Sequence, residues 1–272
     1  MTHGLATELA PIALEAARAG ALAIEALAGS GNLSTAFKSA SHDLVTAADQ
    51  ASEREIIAVI RSRRPDDAVL GEESGQAAGA TSVQWFVDPL DGTANFVYGR
   101  VDYAVSVGVR DQGKPAAGVV IRPRHGDWIA AGAEGVQAGL HGDSTTVRTL
   151  NSPLSRDVLL AHAMVAIGQP YPFPARQHTL AVLTKLVPDI RAVRMAGSAA
   201  CDLAGLALGE SDGFVGFGLA EWDTAAGEAI VLRAGGKVTR IPSGFTPNPI
   251  LIAGSPRIVD ALTARITPLL PA

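Results

Sequence analysis

Two aspartates three residues apart close the apolar run Trp85-Phe86-Val87-Asp88-Pro89-Leu90-Asp91, and Gly92-Thr93-Ala94-Asn95-Phe96 follows directly. A strand ending in this way aims Asp88 and Asp91 at a common point, where like charges repel unless cations neutralise them. Carboxylate oxygens are hard ligands and favour magnesium. Pro89 removes one backbone donor and stiffens the turn. Gly92 and Thr93 then open a short helix, whose unpaired N–H groups and positive dipole end would seat a phosphate. Three further acidic positions join these candidates: Glu72 after Gly71, Asp49 after Thr46, and Asp223 after Trp222.

Each position also has a plainer explanation. Asp91-Gly92 is a common turn dipeptide, and Glu72-Glu73 would serve as a solvated loop. Asp49 could cap the helix beginning at Thr46, and Trp222-Asp223 could be an anchor followed by a helix N-cap. Their joint occurrence in one chain is what gives the chemical reading its weight.

The elements that must position these residues follow from periodicity. Ala-rich helical spacing fills the first 28 residues and is punctuated by Gly29 to Gly31. A second helix begins near Thr46, with Thr46 and Asp49 spaced as a capping box, and Pro65 stops it. Strands are expected at Ala68 to Leu70, Val83 to Val87, Tyr103 to Arg110, Ala117 to Ile121 and Trp128 to Ala130, a meander of hairpins. The second half reads as strand Val158 to His162, helix Ala175 to Val187, strand Ile190 to Arg194, helix Ser198 to Leu208 and strand Gly213 to Phe217. Helix Thr224 to Ala234, strands Lys237 to Ile241 and Ile250 to Ala253, and helix Pro256 to Ile266 complete it. Hairpins followed by strand-helix alternation predict layered helices and sheets. No internal repeat or low-complexity linker interrupts the pattern.

At 272 residues and 47% hydrophobic composition, one compact unit or two closely fused halves is expected. A net charge of -5 provides no basic field for nucleic acid, so no nucleic-acid partner is expected. The single cysteine, Cys201, sits in an apolar run and reads as a core thiol. Six scattered histidines disfavour zinc. The N-terminal helical pattern carries Glu8, Glu15, Arg18 and Glu25, so neither a signal peptide nor a membrane span is expected and the chain reads as cytoplasmic.

Taken together, these segments resemble the inositol monophosphatase family. Asp88 to Phe96 meets the pattern Asp-Pro-hydrophobic-Asp-Gly-Thr-x-Asn-Phe, and Trp222 to Gly227 meets Trp-Asp-x-Ala-Ala-Gly. Gly71-Glu72-Glu73-Ser74 and Asp43 to Asp49 match two further family segments in the same order. The resemblance implies an α+β fold, the layered αβαβα sandwich of the inositol monophosphatase and fructose-1,6-bisphosphatase type. It would have an α+β half over about residues 1–150 and an α/β half over about 151–272. It implies a homodimer and a lithium-sensitive, magnesium-dependent hydrolysis of a small phosphate monoester, inositol monophosphate or a related sugar or polyol phosphate. The alternatives are fructose bisphosphate, a nucleotide 3'-phosphate or histidinol phosphate on the same fold, or a non-catalytic phosphate-binding regulatory protein. Carried over by position, Glu72, Asp88 and the Leu90 carbonyl would hold one Mg2+, and Asp88, Asp91 and Asp223 a second, with Glu72 contributing to a third, weaker ion. Asp49 and Thr93 would orient the attacking water, acting with Glu72 as the catalytic group. Asp91, Gly92, Thr93, Gly197, Ser198, Ala199 and Asp223 would contact the substrate. Inositol-selective members carry a glutamate seven residues before the aspartate of the tryptophan motif. That position is Gly216 here, which predicts weak discrimination among small monoesters.

Overall fold

The computed structural model describes residues 3–30, 35–37, 44–143, 146–151 and 153–271. Gly31 and Asp43, two positions used above, lie outside the described residues. In chain order the elements begin with α1 (His3–Ser30), β1 (Thr35–Phe37), β2 (Leu44–Thr46), α2 (Ala47–Arg63), β3 (Ala68–Gly71), β4 (Gly75–Ala77), β5 (Val83–Asp91) and α3 (Thr93–Val97). Next come β6 (Ala104–Asp111), β7 (Lys114–Arg122), β8 (Asp127–Gly132), β9 (Gly135–Leu140), β10 (Val147–Leu150), β11 (Met164–Gly168) and α4 (Phe173–Leu186). The chain continues with β12 (Ala192–Arg194), α5 (Ala199–Leu208), β13 (Gly213–Gly216), α6 (Glu221–Arg233), β14 (Lys237–Ile241), β15 (Ile250–Gly254) and α7 (Pro256–Ile266).

Eight strands form one sheet in the order β10-β9-β8-β7-β6-β5-β3-β4, antiparallel except where β3 runs parallel to β5. Five form a second, β12-β11-β13-β15-β14, in which β11 is parallel to both its neighbours. Side-chain alternation along the first sheet separates two cores. Trp85, Val87, Val107, Val119 and Trp128 pack beneath α1 and α2, whereas Val120, Ile129 and Ala131 face α5 and α6. The far side of α5 and α6 meets Phe214, Leu251 and Ala253 of the second sheet, and α4 and α7 cover that sheet's outer face through Val182, Leu186, Ile258 and Leu262. The layers are therefore helix, sheet, helix, sheet, helix, the αβαβα sandwich expected from the sequence.

The middle layer explains part of a motif. Gly108 of β6 pairs with Gly118 of β7, and a Cβ on either would lie 2.4 to 2.6 Å from Ala225 or Ala226 of α6. A Cβ at Gly227 would meet Leu203 of α5 at 2.4 Å. The small residues Ala225-Ala226-Gly227 thus let α6 press simultaneously on a sheet and a helix.

Several boundaries differ from the expectation. Residues around Val158 form no strand; Leu160–His162 is a 3₁₀ turn with no buried side chain, and the strand is β11, whose Val165, Ala166 and Ile167 are buried between β12 and β13. Burial, not the apolar run itself, selects the strand. Strand β9 and the short strands β1, β2, β4 and β10 were not expected: the four short ones span only three or four residues, too few to show an alternation, and β9, Gly-Val-Gln-Ala-Gly-Leu, is held by pairing with β8. α1 runs on through Gly29 to Ser30.

Candidate active site

The C-terminal end of β5 breaks its pairing with β6: Asp88 opposes Ser106 and Asp91 opposes Ala104, so β5 contains one extra residue. In a regular strand, residues three apart face opposite sides; the bulge changes that phase and allows both carboxylates to reach one cavity. The bulge is pinned by Ser52 Oγ of α2 donating to the Pro89 carbonyl at 2.8 Å, and by the Leu90 N–H donating to Asp88 Oδ1 at 3.0 Å. The cavity, about 300 Å³, is lined by Glu72, Asp88, Leu90, Asp91, Gly92, Thr93, Gly197, Ser198, Ala199 and Asp223, among others. All the residues expected at the site except Asp49 and Gly216 therefore line one space, and Asp49 stands directly behind Thr93.

Each side chain is fixed by a different element. Asp49 closes the capping box of α2, its Oδ2 accepting from the Thr46 N–H at 2.7 Å and the Thr46 hydroxyl at 2.6 Å. Its Oδ1 accepts from Thr93 Oγ1 at 3.0 Å, so the carboxylate that caps α2 also contacts Thr93. Thr93 Oγ1 is equally close, 3.0 Å, to the Leu90 carbonyl. Asp223, in the first turn of α6, accepts from the Ala220 N–H at 2.7 Å. Asp91 Oδ2 accepts from the Ser198 hydroxyl at 2.7 Å and from the Ala200 N–H at 2.6 Å, which ties β5 to the start of α5. Ser198 is also the N-cap of α5, accepting from the Cys201 N–H at 3.1 Å. Gly197, Ser198 and Ala199 therefore line the cavity at the point where α5 starts.

Gly92 and Gly197 both have positive φ, +88° and +89°, and pack on each other; a Cβ at Gly92 would approach Asp102 O at 2.8 Å and Gly197 O at 3.3 Å. Asn95 bridges the same two segments, its Nδ2 donating to the Asp102 carbonyl at 2.6 Å and the Ala196 carbonyl at 2.8 Å. This clamp was missed in the sequence, although Asn95 belongs to the motif, because its partner lies 101 residues away. Because α3 has only five residues, its individual N–H groups matter more than an accumulated dipole.

The electrostatics report crowding. Burial, followed by the charges of Glu72, Asp91 and Asp223, drives the Asp88 carboxyl well above the usual carboxylate range. Burial raises Asp91 to about 6 despite the Ser198 and Ala200 donors, and burial with the charges of Asp91 and Glu72 also raises Asp223. Asp49 is raised by burial, with its Thr46 and Thr93 hydrogen bonds opposing. Even the Tyr171 phenol at the mouth is held protonated above its normal range, by partial burial and then by Asp91, Asp223, Glu72 and Asp88.

These carboxylates touch pairwise, Asp88 with Glu72 and with Asp223, and among the described residues no three His, Cys, Asp or Glu side chains already meet at one ion position. Pairwise contact is the arrangement of carboxyls that share protons; a divalent cation would replace those protons. The donor set, all oxygen and strongly acidic, fits magnesium.

Gly216 requires a correction. It is buried in β13 and does not line the cavity; a Cβ there would come within 2.5 Å of Leu219 Cδ1 and 2.8 Å of Phe214 Cε1. Leu219 does line the cavity, and it occupies the space that a side chain at position 216 would enter.

No described helix is long and apolar enough to cross a membrane. The sequence pattern of the inositol monophosphatase family matches residues 5–270. "Nus factor SuhB" of Pasteurella multocida is 36% identical over 268 residues, covering 95% of this chain and 96% of that protein. Among solved structures, the extragenic suppressor protein suhB of Bartonella henselae superposes with a TM-score of 0.83 at 30% identity, over 96% of this chain and 98% of that one. The inositol monophosphatase of Anabaena (Nostoc) sp. PCC 7120 superposes with a TM-score of 0.79 at 29% identity, over 97% of each chain. With the motif residues gathered around one cavity and the sandwich complete, the chain belongs to the inositol monophosphatase family.

Proposed function

We propose that the protein hydrolyses a small phosphate monoester in a magnesium-dependent reaction, with inositol monophosphate or a related sugar or polyol phosphate as substrate. The observation that carries this reading is the Thr93–Asp49 hydrogen bond at the edge of the carboxylate-lined cavity. A protein that only bound phosphate would have no need of a water-orienting pair. In this reading Glu72, Asp88 and the Leu90 carbonyl hold one ion, Asp88, Asp91 and Asp223 a second, and Glu72 helps with a weaker third. When bound, the ions neutralise charge on the attacking and leaving oxygens and lower the pKa of water. Thr93, its proton donated to Asp49 Oδ1, presents an oxygen lone pair that accepts from the attacking water and aims it. Asp49, raised by its burial, is suited to hold the proton passed through Thr93. The Gly92 and Thr93 amides face the phosphate, and Gly197 to Ala199 face the alcohol.

The test is phosphate release from a panel of monoesters with magnesium and with excess chelator. Turnover should vanish with chelator, and Thr93→Ala should lower kcat by about 10² with little change in KM. Full turnover in chelator, or a change confined to KM, would remove the assignment. The name of the SuhB relatives, that of a factor, favours one second reading: a phosphate-ester-binding regulatory protein. Binding of the esters without release of phosphate would establish it.

A further inference from the structure

The cavity also contains a cation that the phosphatase reading leaves without a task. Arg176, in the first turn of α4, lines the cavity together with Gln169 and Tyr171 of the preceding loop. These residues belong to different elements from those that supply the carboxylates. Arg176 makes no ion pair with any described residue, and its Nε is buried with no hydrogen-bond partner. Its guanidinium stands 6.0 Å from the Phe173 ring, which holds the fork without satisfying its donors. Other partly or fully buried arginines behave differently: Arg122 forks onto Asp127 and Glu210, and Arg110 and Arg240 share Glu228. A buried N–H donor without an acceptor is costly, and such groups are completed by water, an ion or a ligand.

Leu219 bears on what that ligand must be. It occupies the space that a side chain at Gly216 would enter, so that position supplies no carboxylate to accept from neutral ring hydroxyls. What remains is a planar cation suited to bidentate contact with carboxylate or phosphate oxygens. We propose that Arg176 is a specificity-determining residue that receives a second anionic group, a carboxylate or a phosphate, carried on the alcohol portion of the ester. The inference rests on the phosphatase reading and, within the sugar and polyol phosphates, favours esters that carry a second, separated anionic group over inositol monophosphate itself. It also revises the weak discrimination expected from Gly216 alone.

The experiment compares kcat/KM of the full chain with magnesium on two matched pairs. Glycerol 2-phosphate against 2-phosphoglycerate adds a carboxylate, and fructose 1-phosphate against fructose 1,6-bisphosphate adds a phosphate. The natural protein should favour the charged member of at least one pair by about 10- to 100-fold, as one charge-assisted bidentate contact allows. The pair that responds identifies the group. Arg176→Gln should bring that ratio towards one, mainly through KM, and Arg176→Lys should keep part of it. Ratios near one in the natural protein for both pairs would overturn the proposal. So would equal losses on both members in Arg176→Gln, the result of a merely structural role. If no ester is turned over, the phosphatase reading fails by itself. Calorimetric binding of the same four esters then decides the role of Arg176: tighter binding of a charged member that Arg176→Gln abolishes upholds it, and equal binding refutes it.

Discussion

Replacing Gly118 with alanine tests whether the middle layer holds the site in place. The new Cβ would lie 2.4 Å from the Ala226 carbonyl oxygen and 2.8 Å from Ala226 Cα, where ordinary contacts need roughly 3.5 Å or more. Both partners are backbone, so α6 must withdraw by about 1 Å. Overpacking of this kind costs about 1 to 3 kcal/mol, here towards the upper end, and the stiffer unfolded chain returns about 0.4 to 1 kcal/mol. A net loss of roughly 2 kcal/mol in a chain of this length corresponds to a Tm lower by about 4 to 8 °C. Asp223 sits three residues before Ala226 on the same helix, so the displacement also reaches the site, and a misplacement of about 1 Å costs on the order of 10² in rate. Gly126→Ala is the control. That residue has φ +74° and open space around its Cβ, so alanine there should strain the backbone by about 1 to 2 kcal/mol and leave turnover intact. Thermal denaturation and steady-state kinetics on the two variants read both effects. A Gly118→Ala protein with unchanged Tm and full activity would refute the idea that α6 is wedged by these glycines.

Asp91→Asn and Asp223→Asn should each reduce phosphate release by about 10² or more while the far-ultraviolet circular dichroism stays native, because an amide does not replace the charge. Magnesium at about 100 times its Kd should stabilise the natural protein by about 2.7 kcal/mol, seen as a Tm rise of several degrees that both variants lose. Gly216→Glu alone should destabilise, since its side chain meets Leu219 and Phe214, whereas Gly216→Glu with Leu219→Ala should recover much of the loss in Tm. Burial opposes ionisation of Glu228, but Arg240 and Arg110 outweigh it and hold its carboxyl below the usual range. Its stabilisation is complete above the unfolded value of about 4.3 and is lost as pH falls through the lower folded value, so Glu228→Gln should flatten the acid limb of a stability-against-pH curve.

What the sequence disclosed was mostly local. The Thr46–Asp49 capping box and the Ser198 helix start are written within a few positions. The acidic motifs were legible because chemistry restricts which residue types can occupy them. What joins the motifs was not. The Thr93–Asp49 contact spans 44 residues and the Ser198–Asp91 contact 107, and no periodicity encodes either. Gly216 shows a subtler limit, since counting singled out the position while only packing showed that Leu219 and Phe214 close it off. For the same reason the glycine pair at positions 108 and 118 looked like ordinary strand residues until α6 was found against them.

The site sets like charges against one another, and the fold resists that repulsion with main-chain donors drawn from separate layers. Leu90 supplies one from the β5 bulge, Ala200 one from α5 and Ala220 one from the entry to α6. Each donor fixes one oxygen of its carboxylate. Since α5 and α6 lie between the two sheets, the carboxylates are anchored to the most enclosed part of the sandwich, where local opening is least favourable. A mobile loop would relieve the repulsion by turning the charges outwards into water. The rigid middle layer prevents that relief, so the carboxyls lower their energy by sharing protons or by exchanging those protons for a cation, and the repulsion favours the ion that the proposed chemistry requires.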